Sequence, residues 1–274
     1  MITTLLKHEW MRTRGLVGAV AAAATLAVAV GTGLAFTELP VLSQLGSALA
    51  IVVLVALLPL AQIALAFDFW RSSFRRTGYF THSLPIRGGT IFWTKLLWGA
   101  IVTVGLLVLN VLLVALFWAA FGPVLDLSRN FFADISTVFE LMPASFTTAM
   151  ILMVVLSGFG WLAQLYFAAT LGSGRALGRF GIGGPVIVYV AMYMIVQAVM
   201  FAGILLFPFG LEFVPGNGGT MLDYNLVNYN VLNDMLSPEA SQTMPLGFLP
   251  VLLVVLLVSV IWSTRIWNRK VALA

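Results

Sequence analysis

Six charge-free stretches of 23 to 34 residues run through this chain: Gly15–Thr37, Leu39–Phe67, Leu96–Leu125, Leu141–Gly174, Phe180–Leu211 and Ala240–Thr264. All 24 Asp, Glu, Lys and Arg residues lie between or outside them. A helix needs about 20 apolar residues to cross a hydrocarbon core roughly 30 Å thick, so each stretch is long enough. In lipid the backbone must satisfy its own hydrogen bonds, and a continuous helix does so. The pattern predicts an all-α polytopic membrane protein with six spans.

Composition agrees with that reading. The 274 residues are 61% hydrophobic and 9% charged, against about 25% charged for a soluble domain. Six spans use most of the length and leave no room for a folded soluble domain. The chain has no cysteine, which excludes disulfides, thiol nucleophiles and thiolate metal sites. The first apolar run is too long for a signal peptide, whose core is about 7–15 residues.

Charge sets the expected orientation. Alternating the connections between two sides places Lys7, Arg12, Arg14, Arg71, Arg75, Arg76, Arg87, Lys95, Arg175, Arg179, Arg265, Arg269 and Lys270 on one side, and Arg129 alone on the other. Eight of the ten acids fall with Arg129; only Glu9 and Asp68 accompany the cations. The two faces carry +11 and −7, in keeping with the net +4. The positive-inside rule then puts both termini in the cytoplasm. Trp10, Trp70, Trp93, Trp262 and Trp267 fall near the predicted inner ends, the level that amphipathic rings favour.

The expected organisation is a single transmembrane domain over 1–274. Residues 1–14 are read as an interfacial N-terminal helix, the plainer alternative being an N-terminal extension of the first span, with Ile2, Leu5, Leu6 and Trp10 on one face and Glu9 intruding among them. Spans lie near 15–37, 43–67, 92–121, 145–171, 184–207 and 246–266. Of the outer connections, Glu38–Pro40 is a tight turn and the second, around Asp126–Ile135, suits a short surface helix. The third, 208–245, is a long extracytoplasmic loop; the run Pro215-Gly-Asn-Gly-Gly marks a turn in it, and it reads as short capping helices or a solvated loop. The inner loop Gly172–Gly184 is glycine-rich but lacks the Lys-Ser/Thr ending of a phosphate-binding loop. No ATPase motif occurs.

The segment 68–91 is the most informative connection. Asp68 and Arg71 stand at the i,i+3 spacing of a helical ion pair. Gly78 can end the second helix, Pro85 disfavours helix at Leu84, Gly88-Gly89 interrupts the chain, and Thr90 suits an N-cap for the third span. The result is an apolar and basic projection: Tyr79-Phe-Thr-His-Ser-Leu-Pro-Ile-Arg. Contact with the membrane surface is the plain reading; docking of a cytoplasmic partner is the functional one.

At these residues the chain resembles the permease subunit of an ABC-2 type transporter. In that family an interfacial helix precedes the first span, and a cytoplasmic joint between spans two and three carries basic residues, Leu-Pro, another base, and a Lys opening the third span. The matching positions are Arg75-Arg76, Leu84-Pro85-Ile86-Arg87 and Lys95. The long loop before the last span resembles the family's outer helical hairpin, although it is more polar. The likeness covers the whole chain in layout and about 30 residues in motif. It implies a bacterial plasma membrane, an ABC ATPase dimer and a second permease subunit as partners, membrane lipid around the spans, and no nucleic acid. This chain would bind no cofactor, with ATP and Mg held by the ATPase. Arg75, Arg76, Tyr79, Phe80, Leu84, Pro85, Ile86 and Arg87 would form the ATPase-docking surface, and the chain would itself be no enzyme. A hydrophobic or amphipathic cargo, such as a lipid, drug or peptide, fits spans without buried charge.

Other classes fit less well. An ion-coupled secondary transporter normally needs ionisable groups within its spans, and the six stretches contain none. An intramembrane enzyme would need an acid–base pair or metal site that two histidines and no cysteine do not supply. A non-transporting immunity or sensor subunit could use the same projection. The span polars Gln62, Asn110, Gln164 and Gln197 read as interhelical hydrogen-bonding groups.

Overall fold

A computed structural model describes residues 2–37, 39–75, 86–174, 176–215, 222–236 and 243–269. Six of its helices are long and apolar enough to cross a membrane. The chain divides at Thr137 into two compact units.

The first unit holds α1 (Ile2–Ala35), α2 (Pro40–Phe74) and α3 (Gly88–Phe121), each packed on the other two. The interfacial helix expected over 1–14 is not a separate element: α1 runs unbroken from Ile2 to Ala35. The reason is packing: Glu9 and Thr13 are buried in this stretch and tie it to α3, while Arg12 ties it to α2. Toward the other end, α1 and α2 cross at Gly31 and Gly46. A Cβ on Gly46 would stand 2.6 Å from the Gly31 carbonyl oxygen, and one on Gly31 would stand 2.7 Å from that of Gly46. With no hydrophobic drive between helices in lipid, such small-residue contacts let backbones approach and gain dispersion energy. Val28, Ala50, Leu54, Leu57, Leu113 and Phe117 fill the core beside that crossing. Gln62 donates to Thr103 Oγ1 across 3.3 Å, joining α2 to α3 as expected of a span glutamine.

Both ends of the 68–91 segment differ from expectation. α2 stops at Phe74 with Arg75 as its C-cap, before Gly78; Gly78 lies outside the described residues. α3 starts at Gly88, with Arg87 rather than Thr90 as N-cap. The amides of Thr90 and Ile91 donate to the Arg87 carbonyl at 2.9 and 3.4 Å, so the two glycines are the first helical turn, not a break. A glycine costs at most about 1 kcal/mol in a helix, and burial of Gly89 and Ile91 offsets it.

After α3 a 3-10 turn, Gly122–Leu125, leads to α4 (Phe131–Glu140), a short helix that starts five residues later than the stretch Asp126–Ile135 expected for one. Asn130 starts it, its side chain accepting from the amides of Phe132 and Ala133.

The second unit packs α5 (Ala144–Gly172) against α6 (Gly183–Leu206) and α8 (Phe248–Arg269). Trp161 donates to the Tyr189 hydroxyl at 2.7 Å, and Trp267 to Thr170 at 3.3 Å. Gly172 meets Gly184 and Pro185 backbone to backbone, so the glycine-rich loop between them closes a tight helix pair. Gly203 and Gly247 repeat the device, a Cβ on Gly247 falling 2.6 Å from the Gly203 carbonyl oxygen.

The all-α expectation holds for the spans and fails in the third connection. There β1 (Phe209–Pro215) pairs antiparallel with β2 (Leu222–Asn228) on one side and β3 (Thr243–Pro245) on the other. Among the described residues of this connection there is one short helix, α7 (Val231–Met235). A helical hairpin at this position, as the family likeness implied, is therefore replaced by a small sheet. Pro215 pairs with Leu222; the rest of the Pro-Gly-Asn-Gly-Gly run, read as a turn, lies outside the described residues. The sheet rests on the first turn of α5, where Phe146 meets Phe213 and Tyr224 at ring distances of 5.7 and 5.9 Å and Ser145 bonds the Tyr224 hydroxyl.

Candidate functional site

Four charged residues that flank the apolar stretches converge at one end of the first unit. Glu9 and Arg12, one helical turn apart, share a face of α1 and pair with each other. Asp68 lies near the C-terminal end of α2, and Lys95 in the second turn of α3. Arg12 reaches Asp68 Oδ2 at 2.7 Å, while Lys95 Nζ stands 3.0 Å from Glu9 Oε1. The same ammonium donates to Ser72 Oγ at 3.0 Å, and Ser72 donates onward to the Phe69 carbonyl.

Two carboxylates and two cations make the cluster neutral. That balance decides whether it can exist, because an unpaired charge at this depth would carry a penalty of several kcal/mol, roughly. Burial is graded across it. The Lys95 side chain is 3% exposed and that of Glu9 10%, whereas Arg12 and Asp68 keep 26% and 22%. The Lys95–Glu9 contact is thus the dry centre, and Arg12–Asp68 the wetter rim.

One turn along, Trp98 Nε1 donates to Thr13 Oγ1 at 2.9 Å and its ring meets Trp10 edge-on at 5.7 Å. Beside the cluster, Phe69 packs against both Phe74 and Phe92 at ring distances of 6.0 and 6.3 Å. Phe69 and Phe92 are almost wholly buried. The last turns of α2 and the first turns of α3 are therefore fastened to each other by rings and to α1 by charge.

The residues expected to dock a partner divide between described and undescribed positions. Arg75 is exposed at the end of α2, its guanidinium 4.9 Å over the Trp70 ring. Ile86 is half-buried, and Arg87 is exposed at the start of α3. Arg76, Tyr79, Phe80, Leu84 and Pro85 lie outside the described residues. Lys95, expected only as the residue opening the third span, is instead the buried ammonium of the cluster.

Sequence spacing alone does not reveal the cluster. Asp68 was paired by spacing with Arg71, yet the structure gives its carboxylate to Arg12, 56 positions away. Two signals pointed to it. Glu9 and Asp68 are the two acids on an otherwise cationic side, and Glu9 interrupts the apolar face of its helix. Both anomalies are now explained by the cations they meet.

No family model matches the chain, and neither does any curated protein or solved structure. What the geometry offers chemically is mechanical. The cluster binds three spans into one body at the helix ends from which the 76–85 connection departs and to which it returns.

Proposed function

We propose that the chain is the permease subunit of an ABC exporter of the ABC-2 type, driven by a separate ATPase dimer. The observation that carries this reading is the Glu9–Arg12–Asp68–Lys95 cluster at the base of the 76–85 connection. A push on that connection would be delivered to α1, α2 and α3 together, as rigid-body coupling requires. The cation distribution supports placing this end, with both termini, in the cytoplasm, and the family resemblance implies a bacterial plasma membrane. Tyr79, Phe80, Leu84, Pro85 and Ile86 would meet the ATPase through apolar contact, and Arg75, Arg76 and Arg87 through charge. A second permease subunit, identical or related, would complete the pathway for a hydrophobic or amphipathic cargo. ATP and Mg would remain on the ATPase.

The test uses the absence of native cysteine. A single cysteine at Ser83 carries a photo-crosslinker, native membranes are irradiated, and the captured protein is identified. Capture of a P-loop ATPase, altered by ATP, is the expected result. Capture of a different soluble protein would favour a sensor or immunity subunit, and capture of lipid alone would count against docking. Leu84→Asp should uncouple hydrolysis from transport while the protein stays folded in the membrane.

A further inference from the structure

α4 is too short to cross a bilayer, and its sequence divides cleanly by face. At 100° per residue, Val138, Phe131, Ile135, Phe139 and Phe132 occupy one arc of about 120°, with Ser136, Glu140, Ala133, Thr137 and Asp134 on the rest. Such a face is ordinarily buried in a soluble protein. Here none of the ten residues is buried. Phe132 is 54% and Val138 41% exposed, and Phe131, Ile135 and Phe139 are only partly covered.

The level of α4 is set by the span it follows. Trp118, in the last turn of α3, donates to Asp134 Oδ2 in the first turn of α4 at 2.8 Å. Its ring also packs edge-on against Phe131 at 5.8 Å. Phe131 in turn meets Phe132 at 5.4 Å. The link between the helices exposes Val124, Leu125 and Leu127. Exposed apolar residues thus occur on α3 at Leu116, in the link, and on the open face of α4. A surface that is lipid-facing along the span does not become water-facing one turn later without cost.

We propose that α4 is an interfacial helix whose apolar face lies in the headgroup–acyl boundary of the bilayer, and that its ligand is the lipid surface. Charge narrows the lipid chemistry. The segment holds Asp126, Arg129, Asp134 and Glu140, an acidic excess, so attraction to anionic lipid does not hold it. Apolar area does, and zwitterionic phosphatidylcholine suffices. This inference needs the spans to be membrane-embedded but not the transport reading.

The full chain, reconstituted in phosphatidylcholine vesicles, tests it. Single cysteines at Phe132, Val138, Ser136 and Glu140 each carry a nitroxide, and accessibility to oxygen and to a water-soluble nickel chelate is measured. Labels at 132 and 138 should report a depth of about 5–10 Å, and those at 136 and 140 should report water. The same depths should appear with phosphatidylglycerol added. Nickel access on both faces would overturn the proposal in favour of a solvated helix. Exclusion of both reagents at 132 and 138 would overturn it in favour of a protein partner. Depths that require anionic lipid would overturn the zwitterionic assignment. Asp134 and Trp118 stay intact in all four variants, so the tether to α3 is retained; far-ultraviolet circular dichroism of each labelled protein excludes misfolding as the cause.

Discussion

Replacing Lys95 by Met keeps the length of the side chain and removes its charge. The ammonium has one ion pair and one hydrogen bond, each at 3.0 Å, and is 3% exposed. Its loss leaves Glu9 to share Arg12 with Asp68, so the cluster goes from neutral to one net negative charge. Breaking a buried pair by removing one partner costs about 3–5 kcal/mol. Arg12 still touches Glu9 and is itself partly exposed, which places the expected loss near the lower end, about 3 kcal/mol. The assay is equilibrium unfolding in mixed micelles titrated with dodecyl sulfate, followed by circular dichroism. Adding Glu9→Gln to Lys95→Met restores neutrality and should recover about 2 kcal/mol, within the range seen for contacting residues. A single-substitution loss below about 1 kcal/mol would be that of an exposed ion pair and would refute the buried-cluster argument. So would strict additivity of the two substitutions.

Further outcomes follow from other contacts. Gly46→Leu should force α1 and α2 apart, because its Cβ would stand 2.5 Å from Leu34 Cβ, and should lower stability by about 1–3 kcal/mol. Gly33→Leu, with open space at its Cβ, should leave the thermal unfolding curve in place. Gln62→Met removes the 3.3 Å bond to Thr103 and should cost only about 0.6 kcal/mol, the mean for hydrogen bonds between spans. The Trp118 indole, with help from Ser128, holds the Asp134 carboxyl below the ordinary carboxylate range. A depressed native pKa gives a contribution that is present above the ordinary Asp value of about 3.9 and is lost as pH falls through the lower native value. A nitroxide at Ser136 should thus stay ordered from neutral pH down to about 4 and loosen only in stronger acid; loosening near pH 6 would contradict the latch.

How far the fold was legible depended on which force decided each part. Lipid imposes helix on any long apolar run, so the spans stood out in the residues themselves. Cation bias is likewise a property of the linear chain. Pairing is different: Asp68 had Arg71 at helical spacing, and only the packing of α1 brings Arg12 to it. The sheet was hidden because β2, Leu222-Asp-Tyr-Asn-Leu-Val-Asn, holds residues that disfavour strands beside those that favour them. What seats the sheet is the contact of Phe213 and Tyr224 with Phe146, distant in sequence, which no local pattern reveals. The Gly31–Gly46 crossing could not be read because glycines that let helices approach look like any others until the partner is known.

The cluster also has an order of assembly. Its members leave the ribosome in the sequence Glu9, Arg12, Asp68, Lys95. The first helix emerges carrying its own counter-ion, since Glu9 and Arg12 face each other within a single turn. The second helix then delivers a carboxylate, and the nascent hairpin holds one uncompensated negative charge in this cluster. Only when the third helix arrives does Lys95 restore the balance. A chain halted after two helices is consequently an electrostatically incomplete object, and insertion of the third is the step that lets the first three settle as a bundle.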